Sequence, residues 1–140
     1  MGPLFEEVLA HYGPDASLVF KQFPLSFHKS AALAAEASMA AHSQGKFWEY
    51  MELMFQNQQA LGRADLEKYA AQAGLDMDKF KSALDSGTFK ERVQEDMKLG
   101  SKVGVQGTPT IFVNGRKYEG SREESKKMIE IIDREILGKK

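Results

Sequence analysis

Apolar residues recur at helical spacing through most of the chain, and strand-like runs stand out at only two places. Leu4, Phe5, Val8, Leu9 and Tyr12 share one face of a helix predicted over 3–12. Pro3 suits its first position, where a missing N–H costs nothing, and Gly13-Pro14-Asp15 ends it. Leu18-Val19-Phe20-Lys21-Gln22-Phe23 is short, β-prone and apolar at its start. It predicts a strand buried on both faces over much of its length, stopped by Pro24.

From Ser30 to about Val103 the pattern is helical. The alanine-dense stretch Ala31 to His42 predicts a closely packed helix with Gly45 near its end. Phe47, Trp48, Met51, Met54 and Phe55 form an aromatic–methionine stripe, which at this spacing is core. Asp65 to Ala73 predicts a further helix stopped by Gly74, and Asp76 is placed to cap one over Met77 to Asp85, stopped by Gly87. Thr88-x-x-Glu91 reads as a capping box opening a helix through Val93 and Met97. Ile111-Phe112-Val113 then predicts a strand, Asn114-Gly115 a hairpin turn and Arg116 to Glu119 the returning strand. Ser121-x-x-Glu124 reads as a second capping box, for a last helix that turns Met128, Ile131, Ile132 and Leu137 to the core and closes at Gly138.

Composition removes several classes of function. The chain has 140 residues, a length suited to one domain, with 42% apolar and 28% charged residues and a net charge of −1. No basic field is present to attract nucleic acid or anionic lipid, and Lys126–Lys127 and Lys139–Lys140 read as solvated surface. No apolar window approaches membrane-spanning length, and Met1-Gly2-Pro3 leads straight to Glu6 and Glu7 rather than to a signal peptide. No nucleic-acid or membrane partner is expected. Cysteine is absent, which removes disulfides, thiolate metal sites and a thiol nucleophile. His11, His28 and His42 are dispersed, so neither a metal nor any other cofactor is expected. Gly-rich phosphate loops and GxSxG are missing, and the adjacent carboxylates Glu6–Glu7 and Glu123–Glu124 suit helix starts without chemistry.

The sharpest local feature is Gly107-Thr108-Pro109-Thr110. Alone it says little, because a proline at the mouth of a strand is permitted anywhere and only about 5% of X–Pro bonds are cis. Its setting narrows the reading. Leu-Val-Phe-Lys-Gln-Phe-Pro-Leu (18–25), His28, the alanine-rich helix, Gln-Gly-Lys-Phe-Trp-Glu (44–49) and Gly-Val-Gln-Gly-Thr-Pro-Thr-Ile-Phe-Val-Asn-Gly (104–115) resemble the DsbA-like disulfide oxidoreductases over essentially the whole chain. The resemblance implies an α/β thioredoxin-like fold as one domain over 1–140, with a thioredoxin core at 1–25 and 104–140 and a helical insertion at 26–103. It implies a cis Thr108–Pro109 bond, and a substrate-binding role for Gly107, Thr108 and Pro109, whose backbone meets an extended or unfolded polypeptide. It matches His28 to a common family position, where a structural hydrogen-bonding role is expected of a lone histidine.

The chain departs from that family in one respect that governs its chemistry. The family needs Cys-x-x-Cys at the start of its first long helix, where the helix end stabilises the attacking thiolate. Here that helix is 3–12, so the motif falls upstream of Met1 and no catalytic residue is assigned. The central strand of the thioredoxin sheet, expected between 18–23 and 110–113, is missing with it. Unpaired edges of this kind predict self-association, strand exchange or a partner's strand. The alternative to such pairing is a longer natural chain, cut short by a misassigned start or by a selenocysteine codon misread as a stop. Two other functions keep the fold. One is a non-catalytic polypeptide-binding module. The other is a glutathione-binding relative of the kappa-class transferases and hydroxychromene-carboxylate isomerases, which use a serine near a helix start where this chain has none. The family is often periplasmic, and nothing in the residues fixes a compartment.

Overall fold

A computed structural model describes residues 2–140. Its chain order is helix, helical block, β-hairpin, helix. It divides into two compact units, Lys21–Gln106 and the pair of segments Met1–Phe20 and Gly107–Lys140.

The helical unit contains five helices, α2 (Ala31–Ser43), α3 (Phe47–Gln56), α4 (Arg63–Gln72), α5 (Met77–Ser86) and α6 (Lys90–Lys102). Its core joins Ala37, Ala41, Tyr50, Leu66, Ala70 and Phe80, all essentially inaccessible. Alanine on α2 leaves room for the neighbouring helices to approach. The large side chains of α3, α4 and α5 fill the space between. The aromatic–methionine stripe is turned from its predicted setting. Met51 and Met54 are buried and Phe47 packs on the core, but Trp48 and Phe55 are exposed, and the wholly buried aromatic of α3 is Tyr50. Tyr50 can be buried because its hydroxyl donates to the Leu66 carbonyl at 3.0 Å.

Of the three side-chain caps predicted, one forms and two do not. Asp76 caps α5, accepting from the Lys79 N–H at 3.1 Å. Thr88 does not cap α6, whose N-terminal flank is Phe89 without a side-chain cap. Thr88 instead completes the end of α5. Gly87 takes the left-handed conformation, and the Thr88 N–H reaches back to the Ala83 carbonyl at 3.0 Å. Ser121-x-x-Glu124 is likewise no capping box, since the last helix begins only at Ser125 and Ser121 Oγ meets the Glu123 N–H at 3.4 Å.

The predicted strand over 18–23 is absent, because its backbone has no ladder partner among the described residues. Val19 is 70% exposed and Phe20 40%. The end of the segment is instead captured by side chains of the helical unit. The buried Gln22 donates its N–H to Asp96 Oδ2 at 2.9 Å and its Nε2 to Ser38 Oγ at 2.8 Å. Asp96, 4% exposed, also takes Arg92 Nη1 at 2.9 Å and lies 3.5 Å from Lys21 Nζ. Phe23 lies over Gly100 so closely that a Cβ there would sit 2.8 Å from its ring.

The second unit holds α1 (Pro3–Tyr12), a short 3-10 turn (Gly13–Asp15), β1 (Ile111–Val113), β2 (Arg116–Tyr118) and α7 (Ser125–Ile131). The strands are antiparallel, with Ile111 opposite Tyr118 and Val113 opposite Arg116. Asn114 and Gly115 both have positive φ, 49° and 77°, as the Asn-Gly hairpin turn requires. Val8, Tyr118, Met128 and Ile132 form the buried centre of this unit, with Leu4, Phe5 and Tyr12 packed on it. α7 does not run straight to Gly138. It passes into a π-helical turn over Ile132–Ile136, where the Leu137 N–H bonds the Ile132 carbonyl at 2.9 Å. The wider turn leaves Leu137 40% exposed instead of in the core.

Candidate functional site

Gly107, Thr108 and Pro109 lead into β1. The Thr108–Pro109 bond is cis, as expected. Thr110 Oγ1 donates to the Gly107 carbonyl at 2.6 Å, closing the turn around the proline from within. Gly107 is half-buried, whereas Thr108 and Pro109 are exposed. Thr108 makes no backbone hydrogen bond among the described residues. The Pro109 carbonyl accepts from Arg122 Nη1.

Hairpin geometry fixes which backbone groups of β1 face outward. A two-residue turn makes Val113 and Arg116 the first hydrogen-bonded pair, so Ile111 and Tyr118 are the next. The N–H and C=O of Phe112 and Thr110 therefore point away from β2. No strand covers that edge among the described residues. The two edges of the hairpin also differ in chemistry. β2 carries Arg116 and Lys117, the kind of charge that protects a solvent edge. The outer edge of β1 runs Thr110-Ile111-Phe112-Val113 without a charge, and Phe112 is 39% exposed.

The polar clusters elsewhere hold the structure together. Asp133, in the π turn, accepts from the Tyr12 hydroxyl at 3.0 Å and from Lys139 Nζ at 3.1 Å, and lies 4.0 Å from His11 Nε2. Burial, then the hydrogen bond to Asp133 and its charge, push the Tyr12 phenol from 10.0 up to about 12. Burial works against ionisation of Asp133, but the hydrogen bonds from Lys139 and Tyr12 outweigh it and hold the carboxyl below its ordinary range. Among the described residues no serine or threonine hydrogen-bonds this His–Asp pair, whose other contacts tie α1 to the C-terminal turn. His28 is exposed, with its ring 4.5 Å from that of Phe27. Among the described residues only its backbone hydrogen-bonds, so the side-chain role expected for it is not seen there. Among the described residues no group of His, Asp or Glu is arranged to hold a metal, and no helix is long and apolar enough to cross a membrane.

A cis-proline turn opening a hairpin, a closing helix and a large helical block define a thioredoxin-like protein. Residues 3–134 match the family model described as Thioredoxin, and the chain belongs to that family. Among curated proteins it is similar to a Na(+)/H(+) antiporter NhaA of Herminiimonas arsenicoxydans, 40% identical over 117 residues, covering 84% of this chain and 18% of that protein. It is 39% identical over 119 residues to the antiporter NhaA 3 of Salinispora tropica, covering 84% of this chain and 18% of that one. It is 38% identical over 118 residues to the antiporter NhaA 1 of Mycolicibacterium gilvum, covering 82% and 19%. The chain thus spans less than a fifth of the length of these relatives.

Of the residues singled out from sequence, Gly107, Thr108 and Pro109 lie together at one end of β1. Arg122, which meets the same segment, was not legible there. Thirteen positions separate it from Pro109, and no pattern marks an arginine between a strand and a helix.

Proposed function

We propose that this chain is the polypeptide-facing part of a DsbA-like thiol–disulfide oxidoreductase or isomerase. Without cysteine it performs no thiol–disulfide exchange itself, because no sulfur is present to attack or to leave. What remains is binding. An extended or unfolded polypeptide pairs its main chain with Thr108 and with the outward-facing groups of Thr110 and Phe112. The observation that carries this reading is the exposed, uncharged backbone edge running from Thr108 through β1. Membership of the thioredoxin family and the family-like sequence at 104–115 support it.

The same edge supports self-association or strand exchange, in which a second copy supplies the strand. Leu18-Val19 is β-prone and lies outside any ladder among the described residues, which makes it the segment to exchange. Sodium–proton exchange is not carried over from the antiporters, since the shared stretch is under a fifth of each. In those proteins we infer that it is a thioredoxin-family module accompanying the transporter.

The test is amide chemical-shift mapping with a fully alkylated, permanently unfolded protein as ligand. Shifts concentrated at Gly107–Val113 are expected, and the same sample should show no disulfide reductase activity. Absence of binding, or shifts confined to α2–α6, would end the polypeptide-binding reading.

A further inference from the structure

Arg122 lies between β2 and α7, and its position is fixed from below. Tyr118, 5% exposed, donates its hydroxyl to the Ser121 carbonyl at 2.7 Å. Gly120 is pressed against the same ring. A Cβ there would lie 2.5 Å from the Tyr118 oxygen and 2.6 Å from Ile131 Cδ1. The turn so held carries the Arg122 guanidinium onto the Pro109 carbonyl.

That contact uses one of the guanidinium's five donors. Three of the four other arginines are paired with carboxylates, while Arg116 donates to the Glu135 carbonyl at 2.9 Å, away from the Pro109 turn. Arg63 pairs with Glu67 and Asp85, Arg92 with Glu95 and Asp96, and Arg134 with Glu135. Arg122 is exposed and pairs with no carboxylate among the described residues. Of the two adjacent glutamates, Glu124 is taken by Lys127 at 2.7 Å. An arginine anchored to a carbonyl beside an exposed main-chain edge, with its fork otherwise unused, is suited to a planar carboxylate.

We infer that Arg122 is a specificity residue that selects polypeptide segments carrying an aspartate or glutamate close to the residue paired with Thr108. The inference rests on the proposed polypeptide-binding role of that edge. The peptide backbone supplies main-chain hydrogen bonds, and Arg122 adds a charge-assisted contact to one side chain. With a net charge of only −1, the chain has little long-range field, so the preference is a short-range effect that salt weakens.

Labelled peptides of one length, differing only by Glu or Gln at a single position scanned along the segment, are titrated by fluorescence anisotropy at low salt. The wild-type protein should favour the best-placed Glu peptide about fivefold, the scale of a well-formed exposed ion pair. Arg122→Gln should bring the ratio to about one, and Arg122→Lys should keep part of the preference. Unchanged circular dichroism and melting temperature identify folded variants. If Gln peptides bind but wild type shows no preference, or Arg122→Gln keeps it, the inference about Arg122 is overturned and the polypeptide-binding reading stands. If neither peptide binds wild type, that reading falls and the inference with it.

Discussion

The helical unit and the hairpin unit solve the same problem, satisfying a buried backbone, in different ways. In α2–α6 each helix bonds its own N–H and C=O groups, so side chains alone are needed to close the core around Tyr50, Leu66 and Phe80. Buried polar side chains are also answered locally, as Gln22, Ser38 and Asp96 show, and among the described residues none is left without a partner. The hairpin unit depends on strands, whose backbone is satisfied only by a neighbour. β1 has a neighbour on one edge and none on the other among the described residues. Stability is therefore concentrated where the backbone is self-sufficient, and unused hydrogen-bonding groups where it is not.

Substitutions test that contrast. The largest effect is expected from Phe80→Ala, which removes a fully buried ring from the helical core and should cost about 3–5 kcal/mol in denaturant unfolding. Hydrogen exchange should show the loss in α2–α5, while Thr110 and Phe112 exchange quickly in both proteins. Slow exchange at those two amides in the wild type would break the comparison, unless dilution to monomer restores it. Asp96→Ala comes next. It strands the buried Gln22 N–H and should cost about 2–3 kcal/mol, read from the same unfolding curves.

Gly120→Ala drives a methyl group into Tyr118 and Ile131 and should cost about 1–3 kcal/mol, lowering the melting temperature. The smallest effect is expected from Tyr12→Phe, about 1 kcal/mol near neutral pH. Its pH dependence has a definite sign. A phenol raised from 10.0 to about 12 on folding contributes fully below the lower value and loses its contribution as pH rises through the upper one. The stability advantage of wild type over Tyr12→Phe should therefore narrow between pH 10 and 12 in denaturant titrations. An advantage constant across that window would remove the raised phenol pKa, and with it the effect of burial and of Asp133.

By itself the sequence determined whatever depends on neighbours along the chain. Helical periodicity placed α1 to α6, Asp76 was recognisable as a cap, and Asn114-Gly115 announced the hairpin because few other residues accept two positive φ angles in succession. The Gly107-Thr108-Pro109 turn was legible from its setting. Tertiary structure decided the rest. Leu18–Phe23 has strand composition, but a strand exists only against another strand, and here Asp96 takes the Gln22 N–H instead. Tyr50 outranked Trp48 for the core because a carbonyl of α4 waited for its hydroxyl. The π turn carried Leu137 off the face that a regular helix would have given it. Arg122 gained its place beside Pro109 only through the packing of Tyr118 against Gly120, a contact that no local pattern encodes.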